Sequence, residues 1–290
     1  MTTAPPLDVR GAPAARPGRR FSWSWLGVLP FFVFVLLFLV VPTLYLLVGS
    51  FQDKTGAITL QNYSHLSEPN LADSYFASIE ISLVSAVAGG IFGFLVAYAV
   101  ILGGLPSFLR TAITTFSGVA SNFAGVPLAF AFTFTLGASG ILTEALGIKF
   151  NIYSKTALEL AYFYFQFPLM ILIIAPAIDG LRKDWREAAE NMGASSFQYW
   201  RHVALPILTP SLLGTVILLF GNAFGAQATA FALTGGSINI VTIAITRQIR
   251  GDVANDPGVG YALAMGMVVI MAITIAIYSL LQRRAERWLR

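Results

Sequence analysis

Residues Asp184–Pro206 read DWREAAENMGASSFQYWRHVALP. They form the one long polar run between apolar blocks that has the composition of ordered structure. Trp185, Ala188, Ala189 and Met192 recur at three- and four-residue spacing, which places them on one helical face, with Arg186, Glu187 and Glu190 between them. Gly193 stands where that helix should stop, because glycine enters the left-handed conformation without a side-chain clash. Ser195 or Ser196 can cap a second short helix running through Arg201, which Pro206 is expected to end. The spacing predicts a bent pair of short helices with one apolar face, shaped to fit into a partner.

Around this run the chain is apolar. Its 290 residues are 56% hydrophobic and 11% charged, with a mean hydropathy of +0.73; a soluble domain carries about 25% charge. The composition predicts an all-α polytopic membrane protein. Six apolar runs approach the ~20 residues that a bilayer core requires: Leu26–Val48, Ile81–Leu102, Thr111–Leu136, Leu160–Ile178, Ser211–Leu233 and Val259–Leu281. The first is too long for a signal-peptide core and no convincing cleavage site follows it. Residues 1–22 read as a disordered basic tail and 23–290 as one six-span domain. Cysteine is absent, which excludes a cystine-stapled fold.

Charge sets the expected direction. With both termini in the cytoplasm, thirteen of the 18 Lys and Arg residues fall inside and five outside. The Asp184–Pro206 loop then lies in the cytoplasm, between the fourth and fifth spans. Basic residues gather at span ends, so the net charge of +4 is no signal for nucleic acid.

Glu187-Ala188-Ala189, then Gly193, then Val203-Ala204-Leu205-Pro206 resembles the EAA loop of membrane subunits of binding-protein-dependent ABC importers, with Val203 where the family has Ile. The resemblance implies a cytoplasmic coupling helix, Arg186, Glu187, Ala188, Ala189, Met192 and Gly193, that docks on an ATPase. It implies as partners two nucleotide-binding subunits carrying ATP and Mg, a second permease (a different chain), an extracytoplasmic solute-binding protein, and the bacterial cytoplasmic (inner) membrane. Movement of the docked helices would tilt the attached spans and switch the bundle between inward-open and outward-open.

The chain lacks the motifs of an engine or an enzyme. No lysine is preceded by glycine, so there is no G-x-x-x-x-G-K-[ST] phosphate cradle. His65 and His202 lie far apart, without metal-ligand spacing, and no G-x-S-x-G occurs. No cofactor is expected on this chain. A proton- or sodium-driven secondary transporter is the rival reading, but it usually shows inverted repeats and a midplane acid; no repeat is visible and the acids sit near span ends.

Polar groups inside spans are costly and mark pathways. Glu159, Tyr162 and Gln166 fall on one stripe of the fourth span, and Asn222 and Thr229, seven apart, share a face of the fifth with Gly225 and Ala226. These stripes are candidates for the solute pathway; the alternatives are an interfacial cap for Glu159 and helix–helix hydrogen bonding for Gln166 and Asn222. Gly89/Gly93 and Gly221/Gly225 are small-xxx-small pairs expected to let backbones approach. The loops over 51–79 and 234–258 each exceed twenty residues, a length that is usually functional or disordered, and the resemblance implies that they contact the binding protein. The text GNAFGAQATAFALTGG, Arg247 to Val253 and GVGYALAMGMVV is similar to permeases of the spermidine/putrescine group. That implies a polyamine, which aromatics such as Tyr162, Tyr164 and Phe165 could hold by cation–π contact. Aminoethylphosphonate, iron or another amine are alternatives within the broader group.

Overall fold

The structure is a computed structural model that describes residues 27–250 and 256–286. The expected tail over 1–22 and the Gly251–Val253 portion of the polyamine-type text lie outside the described residues. The chain divides into two units, Met1–Tyr45 and Leu46–Arg290.

The first unit supplies most of α1 (Leu29–Ser50), whose apolar side chains from Val28 to Val48 are almost all exposed. Leu36–Val40 is a π turn in which the Val41 amide bonds the Leu36 carbonyl, five residues back. The cause is Pro42, which has no N–H and whose ring crowds the carbonyl four residues before it.

The second unit contains α2 (Gln61–Ser64), α3 (Pro69–Leu102), α4 (Ser107–Asn122), α5 (Val126–Leu136), α6 (Ile141–Leu146) and α7 (Lys155–Asp179). It continues with α8 (Lys183–Asn191), α9 (Ser196–Phe224), α10 (Ala228–Thr234), α11 (Val241–Arg250) and α12 (Pro257–Glu286). Six stretches are long and apolar enough to cross a membrane: Leu29–Ser50, Pro69–Leu102, Val126–Leu146, Lys155–Asp179, Ser196–Phe224 and Pro257–Arg284.

α3 and α7 form the central pair and run in the same direction. Lys155 at the start of α7 faces Glu80, about three turns into α3, Gly89 faces Gln166, and Gly93 faces Met170. A Cβ on Gly89 would sit 2.7 Å from the Gln166 Cβ, and one on Gly93 2.5 Å from the Met170 Cβ. The expected close approach at Gly89/Gly93 is therefore present. Only half of the other pair serves packing. Gly221 meets Met271 of α12, whereas Gly225 caps the end of a helix.

Two expected spans are broken. Thr111–Leu136 is observed as α4 and α5, parted at residues 123–125, where Gly125 takes φ +72° and Pro127 follows. Pro127 cannot donate and its ring crowds the carbonyl of Phe123, so α4 cannot run on. The fifth span begins earlier and ends earlier than expected. It runs from Ser196 and stops at Phe224, leaving α10 as a separate helix. Pro206, expected to end a short helix, instead sits inside α9. Trp200–Ala204 opens into a π turn in which the Leu205 amide reaches the Trp200 carbonyl, and the helix passes the proline.

Candidate functional site: the α8 lever and the paired helix breaks

α8 begins with Asp184 in its first turn, where an acid complements the helix dipole. It ends as the sequence predicts. Gly193 has φ +80°, its amide bonds the Glu190 carbonyl at 2.9 Å, and the Ala194 amide bonds the Ala189 carbonyl at 2.9 Å. Those bonds satisfy carbonyls that the helix end would otherwise leave bare. Ser195 then starts α9 with a capping box: its hydroxyl accepts from the Gln198 amide, and the Gln198 side chain accepts from the Ser195 amide.

The expected apolar face of α8 is split. Trp185 and Ala189, four apart, pack into the core, with Ala189 only 4% exposed. Ala188 lies roughly 100° round the helix from Ala189 and Met192 stands at the helix C-cap; both are exposed, Met192 at 81%. The outward surface thus carries Glu187, Ala188 and Met192, and Arg186 is bound to Glu190 through Nε at 2.8 Å. That bond pushes the Arg186 pKa further above its ordinary value. Phe197, 72% exposed, adds an apolar side chain just past the bend. Sequence reasoning missed it, because Phe in an amphipathic turn reads equally well as buried.

The lever is tied to the spans on both sides. Asp179, the last residue of α7, accepts a 2.5 Å hydrogen bond from Arg110 of α4. Tyr98 of α3 meets Trp200 edge to face, with centroids 4.8 Å apart.

At the opposite end of α7, Lys155 Nζ lies 2.6 Å from Glu80 Oε2 and Glu159 is half-buried one turn further on. Two turns inward from Lys155, roughly 10 Å along the axis, the two breaks meet. The Gly125 amide donates to Thr229 Oγ1 at 2.7 Å, and the Tyr162 hydroxyl donates to the Ala226 carbonyl. Backbone groups released by one break are thus held by the neighbouring elements. Between the breaks lies a cavity of about 590 Å³ lined by Ala124–Val126, Gly225–Thr229, Phe231 and Ala232.

The five pathway candidates do not form one surface. Tyr162 and Gln166 are 2% and 0% exposed, and Gln166 Nε2 donates to the Leu219 carbonyl at 2.7 Å. Both bind the α9–α10 strip rather than face an opening, the helix–helix alternative for Gln166. Phe165 is equally buried, so of the three aromatics named for cation–π contact only Tyr164 keeps partial exposure. Asn222 and Thr229 were expected to share a face. The break at Gly225 separates them, leaving Asn222 exposed on α9 and Thr229 buried on α10 at the cavity wall. Glu159 stays at the far end with Glu80 and Lys155. The break itself was missed, although Gly125-Val126-Pro127 inside an apolar run was a signal for it.

The profile described as "Binding-protein-dependent transport system inner membrane component" matches residues 89–287. The spermidine/putrescine transport system permease protein PotB of Haemophilus influenzae is 25% identical over 273 residues, 88% of this chain and 94% of that protein. The sulfate transport system permease protein CysW of Escherichia coli K12 is 27% identical over 277 residues, 94% of this chain and 91% of that protein. In fold, the chain is similar to a bacterial ABC transporter involved in the import of the acidic polysaccharide alginate, with a TM-score of 0.71 at 16% identity, over 90% of this chain and 95% of the other.

Proposed function

We propose that this chain, which belongs to the family of binding-protein-dependent transport system inner membrane components, serves the import of a polyamine of the spermidine/putrescine kind. It is a multi-pass inner-membrane permease subunit of an ABC importer and not an enzyme; the ATPase of such systems is a separate subunit. The lever between the fourth and fifth crossings is read as the ATPase contact, on the cytoplasmic side with both chain termini. Glu187, Ala188 and Met192, with Arg186 and Gly193 framing them, present the docking surface, while Ala189 faces inward and transmits the motion to the core. ATP and Mg are held by two nucleotide-binding subunits, and a second permease completes the pathway.

The likeness to a spermidine/putrescine permease over 94% of that protein's length supports the solute. A sulfate-like oxyanion is the second reading. It is favoured by the comparable likeness to CysW and by a cavity wall that holds no Asp or Glu. The test is uptake in cells carrying the complete transport system, with and without this chain. Labelled spermidine should enter only when the chain is present, and excess sulfate should not compete. Chain-dependent sulfate entry without spermidine entry would reverse the choice.

A further inference from the structure

Two polar side chains stand in the wall of the cavity between the breaks, Gln227 and Thr229. Thr229 Oγ1 is engaged by the Gly125 amide. Gln227 is different, because a chain of hydrogen bonds decides which way its amide points. The Thr246 hydroxyl gives its proton to the Thr242 carbonyl at 3.1 Å, so only its lone pairs remain for Gln227, 2.6 Å away. Gln227 presents its NH2 group there; the flipped amide would find a donor only if the Thr246 hydroxyl turned away from the Thr242 carbonyl. The amide oxygen of this half-buried side chain is therefore left over at the cavity wall, with no partner among the described residues.

We propose that Gln227 is a specificity-determining residue of the solute pathway, accepting through its oriented amide oxygen a hydrogen bond from a protonated primary amine of the passing solute. This rests on the polyamine reading above. An ammonium has three donors and no acceptor, so it complements a fixed oxygen, whereas a fully ionised oxyanion brings only acceptors and is repelled by it. No Lys or Arg lines the cavity to repel a cation. A neutral oxygen suits a pathway better than a carboxylate does, since a solute in transit must be released as readily as it is bound.

The test uses the complete importer in proteoliposomes, with its partner permease, ATPase subunits and binding protein, and labelled spermidine as the probe. Gln227→Leu and Gln227→Lys should lower uptake at saturating loaded binding protein by about tenfold or more, the loss expected for a hydrogen bond to a charged group. ATP hydrolysis stimulated by the loaded binding protein should stay within about twofold of wild type. Gln227→Glu, which keeps an acceptor, should retain uptake. Thr246→Val, which frees the amide to rotate, should fall between wild type and Gln227→Leu. Wild-type rates in both Gln227→Leu and Gln227→Lys, or equal losses in Gln227→Glu, Gln227→Leu and Thr246→Val, would overturn the assignment while the solute reading stands. A wild-type importer that carries sulfate and no spermidine would overturn the solute reading itself, and this inference with it.

Discussion

Gly93 and Gly125 are both required to be glycine, for opposite reasons. At Gly93 the backbone is helical, but an added Cβ would lie 2.5 Å from the Met170 Cβ and 2.6 Å from the Phe167 carbonyl oxygen. Neither neighbour is the far end of a flexible chain, so α3 and α7 would have to separate. At Gly125 space is available, the nearest atom being the Ala228 Cβ at 3.7 Å, but φ is +72°. Gly93→Val should destabilise the protein by about 1–3 kcal/mol through overpacking. Gly125→Ala should cost a similar amount, about 1–3 kcal/mol, through backbone strain. Thermal unfolding in detergent checks both, and cross-linking across α3 and α7 should change only in Gly93→Val. The Gly89/Gly93 spacing made the first role legible in the sequence. The second was not, because a positive φ depends on where the chain must go next.

At the scale of elements, two arrangements stand out. The first is the lever, where outward residues differ from the inward ones by a fraction of a turn. Glu187→Lys or Gly193→Asp should abolish uptake while the protein remains inserted, measured by transport against membrane-fraction content; full transport in either variant would remove the docking role. Ala189→Leu should instead disturb the core, because Ala189 is 4% exposed, and it should appear as reduced thermal stability. The second is the pair Arg110–Asp179. Arg110 sits in the first turn of α4 and Asp179 at the end of α7, so each charge opposes the dipole of its own helix. Only their mutual contact compensates, and at side-chain exposures of 42% and 45% such a pair contributes about 0–1 kcal/mol. Exchanging them, Arg110→Asp with Asp179→Arg, keeps the pair and sets both charges at the favourable helix ends. The double variant should therefore unfold at or above the wild-type temperature, and each single reversal below it.

For the molecule as a whole, the direction of the chain across the membrane has a simple test, since the chain contains no cysteine. A single cysteine at Glu187 should react with an impermeant maleimide only when the cytoplasmic face is accessible. One at Lys149 should react from the outside in intact cells. Labelling of Glu187→Cys from outside would place the lever on the wrong face for an ATPase and end the docking proposal. α3 and α7 run in one direction, and α7 carries Lys155, paired with Glu80, at one end and the Asp179 junction to the lever at the other.

What the sequence determined by itself was set by local physics. Apolar run length gave six crossings, helical spacing with Gly193 gave the lever and its bend, and a small-residue pair gave the α3–α7 approach. Tertiary structure decided what depends on neighbours. Pro206 is passed by a π turn instead of ending a helix, and Ala188 and Ala189 are sent to opposite surroundings. Tyr162 and Gln166 turn from a pathway stripe into hydrogen bonds to the α9–α10 strip, and two breaks whose bonded residues, Gly125 and Thr229, are 104 positions apart come together beside Gln227. The reason is that a freed backbone amide or carbonyl inside a membrane must find a partner, and that partner lies wherever the packing of other helices has placed it.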